Sequence, residues 1–147
     1  MAVALAAALC VTATAARAER PQQRCTAPGP LTVRIMTYNL HHCEGDDGVY
    51  DVERIAWYMQ KLSADIILCQ EVDRAFSDRS DNDDQPAMLT GILGFHSFYG
   101  PNIDDRYGNL ILSRFPIVSA ENIQIPNPDD KEPRGVIATV IDINGLR

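Results

Sequence analysis

The sequence predicts an α/β fold, and three observations carry that prediction. Ile66-Ile67-Leu68-Cys69 is an apolar, partly β-branched run, short enough to be a strand buried on both faces. Leu31 to Tyr38 alternates Leu31, Val33 and Ile35 with Thr32 and Arg34, the period of a strand. Between them Val52, Ile55, Ala56, Met59 and Leu62 recur at helical spacing. Strand, helix, strand is a βαβ unit. A right-handed crossover sets its two strands parallel, with their carboxyl ends at one rim.

Length and charge narrow the function classes. The 147 residues fit one ordinary domain. A net charge of −7 argues against a broad nucleic-acid-binding surface, whose footprint is basic. Met1 to Ala16 is almost all Ala, Val, Leu and Thr, and Ala16-Arg17-Ala18 is a small-x-small cleavage site. Residues 1–18 therefore read as a secretory signal peptide, too short and alanine-rich for a transmembrane span. No Lys or Arg precedes the apolar run, which is atypical of such signals. Residues 19–30, with three prolines, read as a linker, and residues 31–147 as the folded part. Past the signal three cysteines remain, Cys25, Cys43 and Cys69, an odd number that cannot all pair within the chain. Cys69 reads as a core residue; pairing of Cys25 with Cys43 stays open.

The remaining elements follow in order. Asp51 caps a helix running to about Leu62. Asp84 or Gln85 caps a second helix, with Pro86 in its first turn, Met88, Leu89, Ile92 and Leu93 buried, and Gly94 as its stop. Phe95 to Gly100 is a short aromatic strand, and Pro101 to Arg106 a loop. Tyr107 to Leu112 is a buried strand, broken at Phe115-Pro116. Ile117 to Ile125 is extended again. Val136 to Ile143 is β-branched and ends at Asn144-Gly145, a strong hairpin-turn signal. Only Leu146 and Arg147 follow that turn, so the expectation is a chain cut off within its fold, with a sheet edge and an apolar face left uncovered.

Two residues stand where α/β folds bind ligands. Gln70-Glu71 ends the central strand, and a carboxylate there must be neutralised, paired or bound to a cation. Glu71 is thus a candidate metal ligand; the plain alternative is a glutamate facing solvent or an arginine. Asn39 follows the first strand, and its amide oxygen suits a hard cation or the orienting of a carboxylate. The plain alternative is a turn asparagine. Parallel strands let the two converge. His41 and His42 are ordinary loop histidines unless something pairs with them. The acidic loops at Glu44–Gly48 and Asp78–Asp84 lack ordered calcium-ligand spacing, which leaves a calcium-binding adhesion domain poorly supported.

Four stretches then line up in order and spacing: Thr37-Tyr38-Asn39-Leu40-His41, Cys69-Gln70-Glu71-Val72-Asp73, Tyr107-Gly108-Asn109-Leu110-Ile111-Leu112-Ser113-Arg114-Phe115-Pro116, and Glu132-Pro133-Arg134-Gly135. Together they resemble the amino-terminal half of the endonuclease/exonuclease/phosphatase family of metal-dependent phosphoesterases. The resemblance implies a four-layer α/β sandwich, here as an incomplete fragment. It implies a Mg²⁺ (or Mn²⁺) cofactor held by Glu71 with Asn39 as its partner, both counted as catalytic. It places Arg134 near the phosphate-binding cleft, where an arginine that merely braces the site is the alternative. The family's Thr-His, Gly-Asp-Phe-Asn and Ser-Asp-His motifs are not in this sequence, so about half of the active site is expected to be missing, along with a second half-domain. The implied activity is phosphoester hydrolysis, by a phosphodiesterase or phosphatase that is secreted or periplasmic. A small phosphoester or lipid headgroup fits the acidic charge better than bulk nucleic acid. A non-catalytic remnant or interaction module is the competing reading.

Overall fold

The computed structural model describes residues 31–127 and 131–147, so the expected signal peptide, linker and Cys25 lie outside the described residues. The elements, in order, are β1 (Ile35–Asn39), a 3₁₀ turn (His41–Cys43), α1 (Val52–Lys61), β2 (Ile66–Asp73), a 3₁₀ turn (Asp78–Ser80), α2 (Gln85–Leu93), β3 (His96–Ile103), β4 (Tyr107–Ser113), β5 (Ile117–Ile125) and β6 (Arg134–Ile141). They form a four-stranded sheet in the order β1-β2-β4-β3 and a two-stranded sheet of β5 and β6. β1 and β2 are parallel, as a βαβ unit requires, and β4 runs antiparallel to both of its neighbours.

Both helices start on the signals the sequence carries. Asp51 accepts the Arg54 N–H at 2.8 Å, and Glu53 and Lys61 sit at the ends that suit their charges. Asp84 accepts the Ala87 N–H at 2.9 Å, with Pro86 just inside the start. Gly94, at φ +66°, closes α2 with its N–H on the Thr90 carbonyl. Val52, Ile55, Ala56 and Met59 of α1 and Leu89 of α2 then bury against Ile67, Cys69, Leu110 and Leu112 on one face of the large sheet.

The other face of that sheet carries β5 and β6. Asn109 Nδ2 donates across the gap to the Gly135 carbonyl at 3.0 Å. Leu68 and Ile111 share a cavity there with Ile137. Helices, sheet and second sheet are three successive layers of the α/β sandwich. The outer face of β5–β6 leaves Ile123, Val136 and Val140 exposed. No helix among the described residues is long and apolar enough to cross a membrane.

Several boundaries differ from the sequence reading. β1 starts at Ile35, not Leu31, because Arg34 is taken up by the turn before β2: its N–H bonds Asp65 Oδ2 at 2.9 Å, and its carbonyl accepts from Asp65 and Ile66. β1 includes Asn39, which is its last residue rather than a loop residue. β2 does not end at Gln70-Glu71 but runs on to Asp73, since Val72 and Asp73 pair with Gly108 and Tyr107. β3 extends to Ile103 for the same kind of reason, pairing with Tyr107. β6 spans Arg134–Ile141, because Ile143 joins the Asn144-Gly145 turn through Leu146 instead of the β5 ladder. Leu62 and Ile92 are exposed, each lying at or beside its helix end on the solvent side.

Candidate active site

Asn39 and Glu71 meet. Asn39 Nδ2 donates to Glu71 Oε1 at 2.8 Å, and Asn39 Oδ1 accepts the His41 N–H at 2.9 Å. The second of these fixes the amide flip, so the carboxylate faces an N–H donor rather than an oxygen. Register supplies the meeting: Asn39 is paired with Gln70 across the parallel ladder, and the Leu40 N–H bonds the Gln70 carbonyl at 2.9 Å.

Glu71 reaches this position through a bulge. The β2–β4 register shifts between Cys69 and Val72, and Glu71 takes φ +57°. The left-handed conformation is unfavourable for a side chain with a Cβ, by about 1–2 kcal/mol. A regular strand would alternate Gln70 and Glu71 across the sheet. The bulge instead leaves both residues lining one cavity, of about 390 Å³, together with Asn102, Tyr107, Asn109 and Arg134.

The cavity therefore combines one carboxylate, several side-chain amides, a phenol and a guanidinium. Only Oε1 of Glu71 is hydrogen-bonded among the described residues, which leaves Oε2 for a ligand. The oxygen donors of Glu71 and Asn39 suit a hard divalent cation, which is commonly held by one or two carboxylates plus waters and substrate oxygens. Arg134 is exposed and pairs with Glu132 at 3.1 Å, a surface ion pair that a phosphate could displace at little cost. Burial first, and the charge of Glu71 second, raise the Tyr107 phenol above its ordinary range, so it is neutral and can donate.

Behind the cavity lies a buried polar clamp that sequence reasoning does not find. Asp73 is fully buried; Arg79 grips its carboxylate through Nε at 2.9 Å and Nη2 at 2.7 Å, and Ser80 Oγ adds a bond at 2.8 Å. The fork satisfies a charge that would otherwise be too costly to bury. Gln85, also fully buried, accepts the Asp73 N–H at 2.9 Å and donates to the His42 carbonyl at 2.7 Å. One side chain at the start of α2 thus ties together the strand carrying Glu71 and the turn following Asn39. Asp73 and Tyr107 lie within motif stretches, which is the one signal the sequence offered for them. Gln85 was marked only as an alternative helix cap, a role that Asp84 takes.

Glycine is required at Gly108, where a Cβ would stand 2.2 Å from the Gly100 carbonyl oxygen and 2.8 Å from Pro101 Cα. β3 and β4 pair closely here, and the residues on either side, Tyr107 and Asn109, both line the cavity.

The site the fold presents is an amide–carboxylate pair at the ends of two parallel strands, in a cavity shared with a guanidinium. The family assignment is direct. The Endonuclease/Exonuclease/phosphatase family model matches residues 36–146, and the chain belongs to that family. It is similar to the crystal structure of an endonuclease/exonuclease/phosphatase from Beutenbergia cavernae, at 28% identity and a TM-score of 0.68, over 78% of this chain and 35% of that one. A family protein from Leptotrichia buccalis matches at 16% identity and a TM-score of 0.58, over 78% and 51% of the two chains. The human Nocturnin catalytic domain matches at 20% identity and a TM-score of 0.57, over 76% and 44%. The chain thus spans between about a third and a half of these structures.

Proposed function

We propose that this chain contributes the metal-binding half of a divalent-cation-dependent phosphoester hydrolase. The observation that carries the reading is the Asn39–Glu71 hydrogen bond of 2.8 Å, made from a left-handed bulge that turns a carboxylate into a cavity shared with Arg134. Glu71 and Asn39 would hold the cation, Mg²⁺ or Mn²⁺. When bound, such a cation neutralises charge on the phosphoryl oxygens. Asn39 holds the Glu71 carboxylate in one orientation, with Oε2 free. Arg134 exchanges Glu132 for the substrate phosphate. Tyr107, a neutral phenol, donates a hydrogen bond to a phosphate oxygen. Orientation and charge complementarity of this kind supply much of the catalysis in phosphoryl transfer.

The substrate in this reading is a small phosphoester or lipid headgroup, supported by the net charge of −7 and by a cavity that presents a single arginine. Export to a secreted or periplasmic location is part of the same proposal. It is supported by the apolar Met1–Ala16 run and the Ala16-Arg17-Ala18 site, and tested by the mass of the mature amino terminus.

The test of the hydrolase reading uses the full-length protein. Hydrolysis of bis(p-nitrophenyl) phosphate and p-nitrophenyl phosphate is followed with Mg²⁺, with Mn²⁺ and with EDTA. Glu71→Ala should lower turnover by about 100-fold or more. Activity that survives both EDTA and Glu71→Ala would refute the assignment.

A further inference from the structure

We propose that the turn after β1 is a second cation site, formed by His41, His42 and Glu44, and that it takes a zinc-class divalent transition metal. It is chemically distinct from the Asn39–Glu71 pair, and it does not depend on the hydrolase reading.

The observation is one of geometry. Successive residues ordinarily send their side chains apart. Here His41, His42 and Cys43 all adopt left-handed backbone, at φ +45°, +44° and +64°. Such conformations are costly for residues with a Cβ, and three in a row persist only where the surroundings enforce them. Their effect is to bring the two imidazole rings to 4.4 Å between centroids, tilted by 51°. Glu44 brings its Oε2 to 3.5 Å from His42 Nε2. One donor atom from each of the three residues lies within 4.8 Å of the other two.

The turn is held from behind, so the donors are positioned in advance. Leu40 and Cys43 bury in the core, the His42 carbonyl takes the Gln85 amide at 2.7 Å, and the Cys43 carbonyl takes the Asp51 N–H at 3.0 Å. Glu44 N–H closes on the His41 carbonyl at 2.9 Å, and the residue bridges to Tyr50. Arg54, the cation of this loop, is engaged by Asp47 at 2.6 Å and does not compete for Glu44.

The donor set decides the metal. Two imidazole nitrogens and one carboxylate oxygen favour Zn²⁺, Co²⁺ or Ni²⁺ over Mg²⁺, which takes oxygen ligands. Three protein ligands leave a fourth position to water, as in open zinc sites. Because the His41 N–H holds Asn39 Oδ1 at 2.9 Å, a metal clipping this turn also stiffens the support of the neighbouring amide.

The experiment is a titration of the full-length protein with Co²⁺ in the presence of excess Mg²⁺, read by visible d–d absorption. Expected are the intense bands of four-coordinate Co²⁺, saturating at one ion per chain, abolished by Zn²⁺ and untouched by Mg²⁺. His41→Ala and Glu44→Gln should each weaken Co²⁺ binding by about 10-fold or more. His41 is exposed and Glu44 half-buried, so both variants keep the fold, whereas buried His42 is not relied on. Glu71→Gln should leave the bands in place. Weak bands of six-coordinate Co²⁺ would overturn the proposal. So would bands that survive both His41→Ala and Glu44→Gln, or bands that vanish in Glu71→Gln, which would assign the ion to the other site.

Discussion

Replacing Glu71 by glycine and by alanine separates what the residue does for function from what it costs the fold. Both variants remove the carboxylate and its 2.8 Å bond to Asn39, so both should lose metal-dependent activity equally. They differ only in backbone. At φ +57°, alanine keeps the left-handed penalty of about 1–2 kcal/mol, while glycine is relieved of it. Glycine in turn loses more conformational entropy on folding, by about 0.5–1 kcal/mol. The difference leaves Glu71→Gly more stable than Glu71→Ala by about 0.5–1 kcal/mol, opposite in sign to the usual ranking within a strand. In thermal unfolding that is about 2–5 °C for a domain of this size. Circular dichroism melts of the two full-length variants give the answer. If alanine melts at or above glycine, the bulge is not strained at Glu71, and the idea that the strand is distorted to aim this carboxylate fails.

Three further outcomes follow from the structure. Gln85→Leu removes the shared partner of the Asp73 N–H and the His42 carbonyl, leaving two buried polar groups unpaired, and should cost about 2–4 kcal/mol in urea unfolding. Gly108→Ala drives a Cβ into the Gly100 carbonyl 2.2 Å away and should cost about 2–3 kcal/mol, with the loss visible as a lower melting temperature. Burial pushes the Cys43 thiol from an ordinary 9.0 up to about 12. The folded protein thus holds its proton where the unfolded chain has released it. That contribution to stability is intact below about pH 9 and is lost as pH rises towards about 12. Stability should therefore fall less steeply between pH 9 and 11 in Cys43→Ala than in the parent, and equal slopes would contradict the assignment.

What the sequence made legible was whatever short-range chemistry decides. Asp51 and Asp84 cap their helices, Gly94 stops one, and Asn144-Gly145 turns the chain, each through bonds made within a few residues. The approach of Asn39 to Glu71 was legible for a different reason: parallel strands of a βαβ unit must end together. The bulge at Glu71 was not legible, because it depends on Val72 and Asp73 pairing with Gly108 and Tyr107, some 35 residues further on. The burial of Asp73 against Arg79 and Ser80 was not legible either, because only the packed fold brings those side chains together. The adjacent histidines read as loop residues, since nothing local announces three left-handed residues in succession.

These long-range features share one piece of structure, and that bears on how variants should be interpreted. Gln85 stands at the first turn of α2, and its amide spans from the Glu71 strand to the His42 carbonyl. The His41 N–H in turn fixes Asn39 Oδ1, and Asn39 Nδ2 fixes Glu71. The chain of contacts therefore closes into a ring: Glu71, Asn39, the histidine turn, Gln85, Asp73 and back along β2. A ring has no free end, so loosening any member shifts the amide and the carboxylate relative to one another. The ring predicts that Gln85 acts as a positioning residue, although it does not line the cavity. A substitution there that spared the fold yet weakened metal binding would be explained by the ring. The same substitution acting on stability alone would show that the amide–carboxylate pair is held by β1–β2 register without the help of α2.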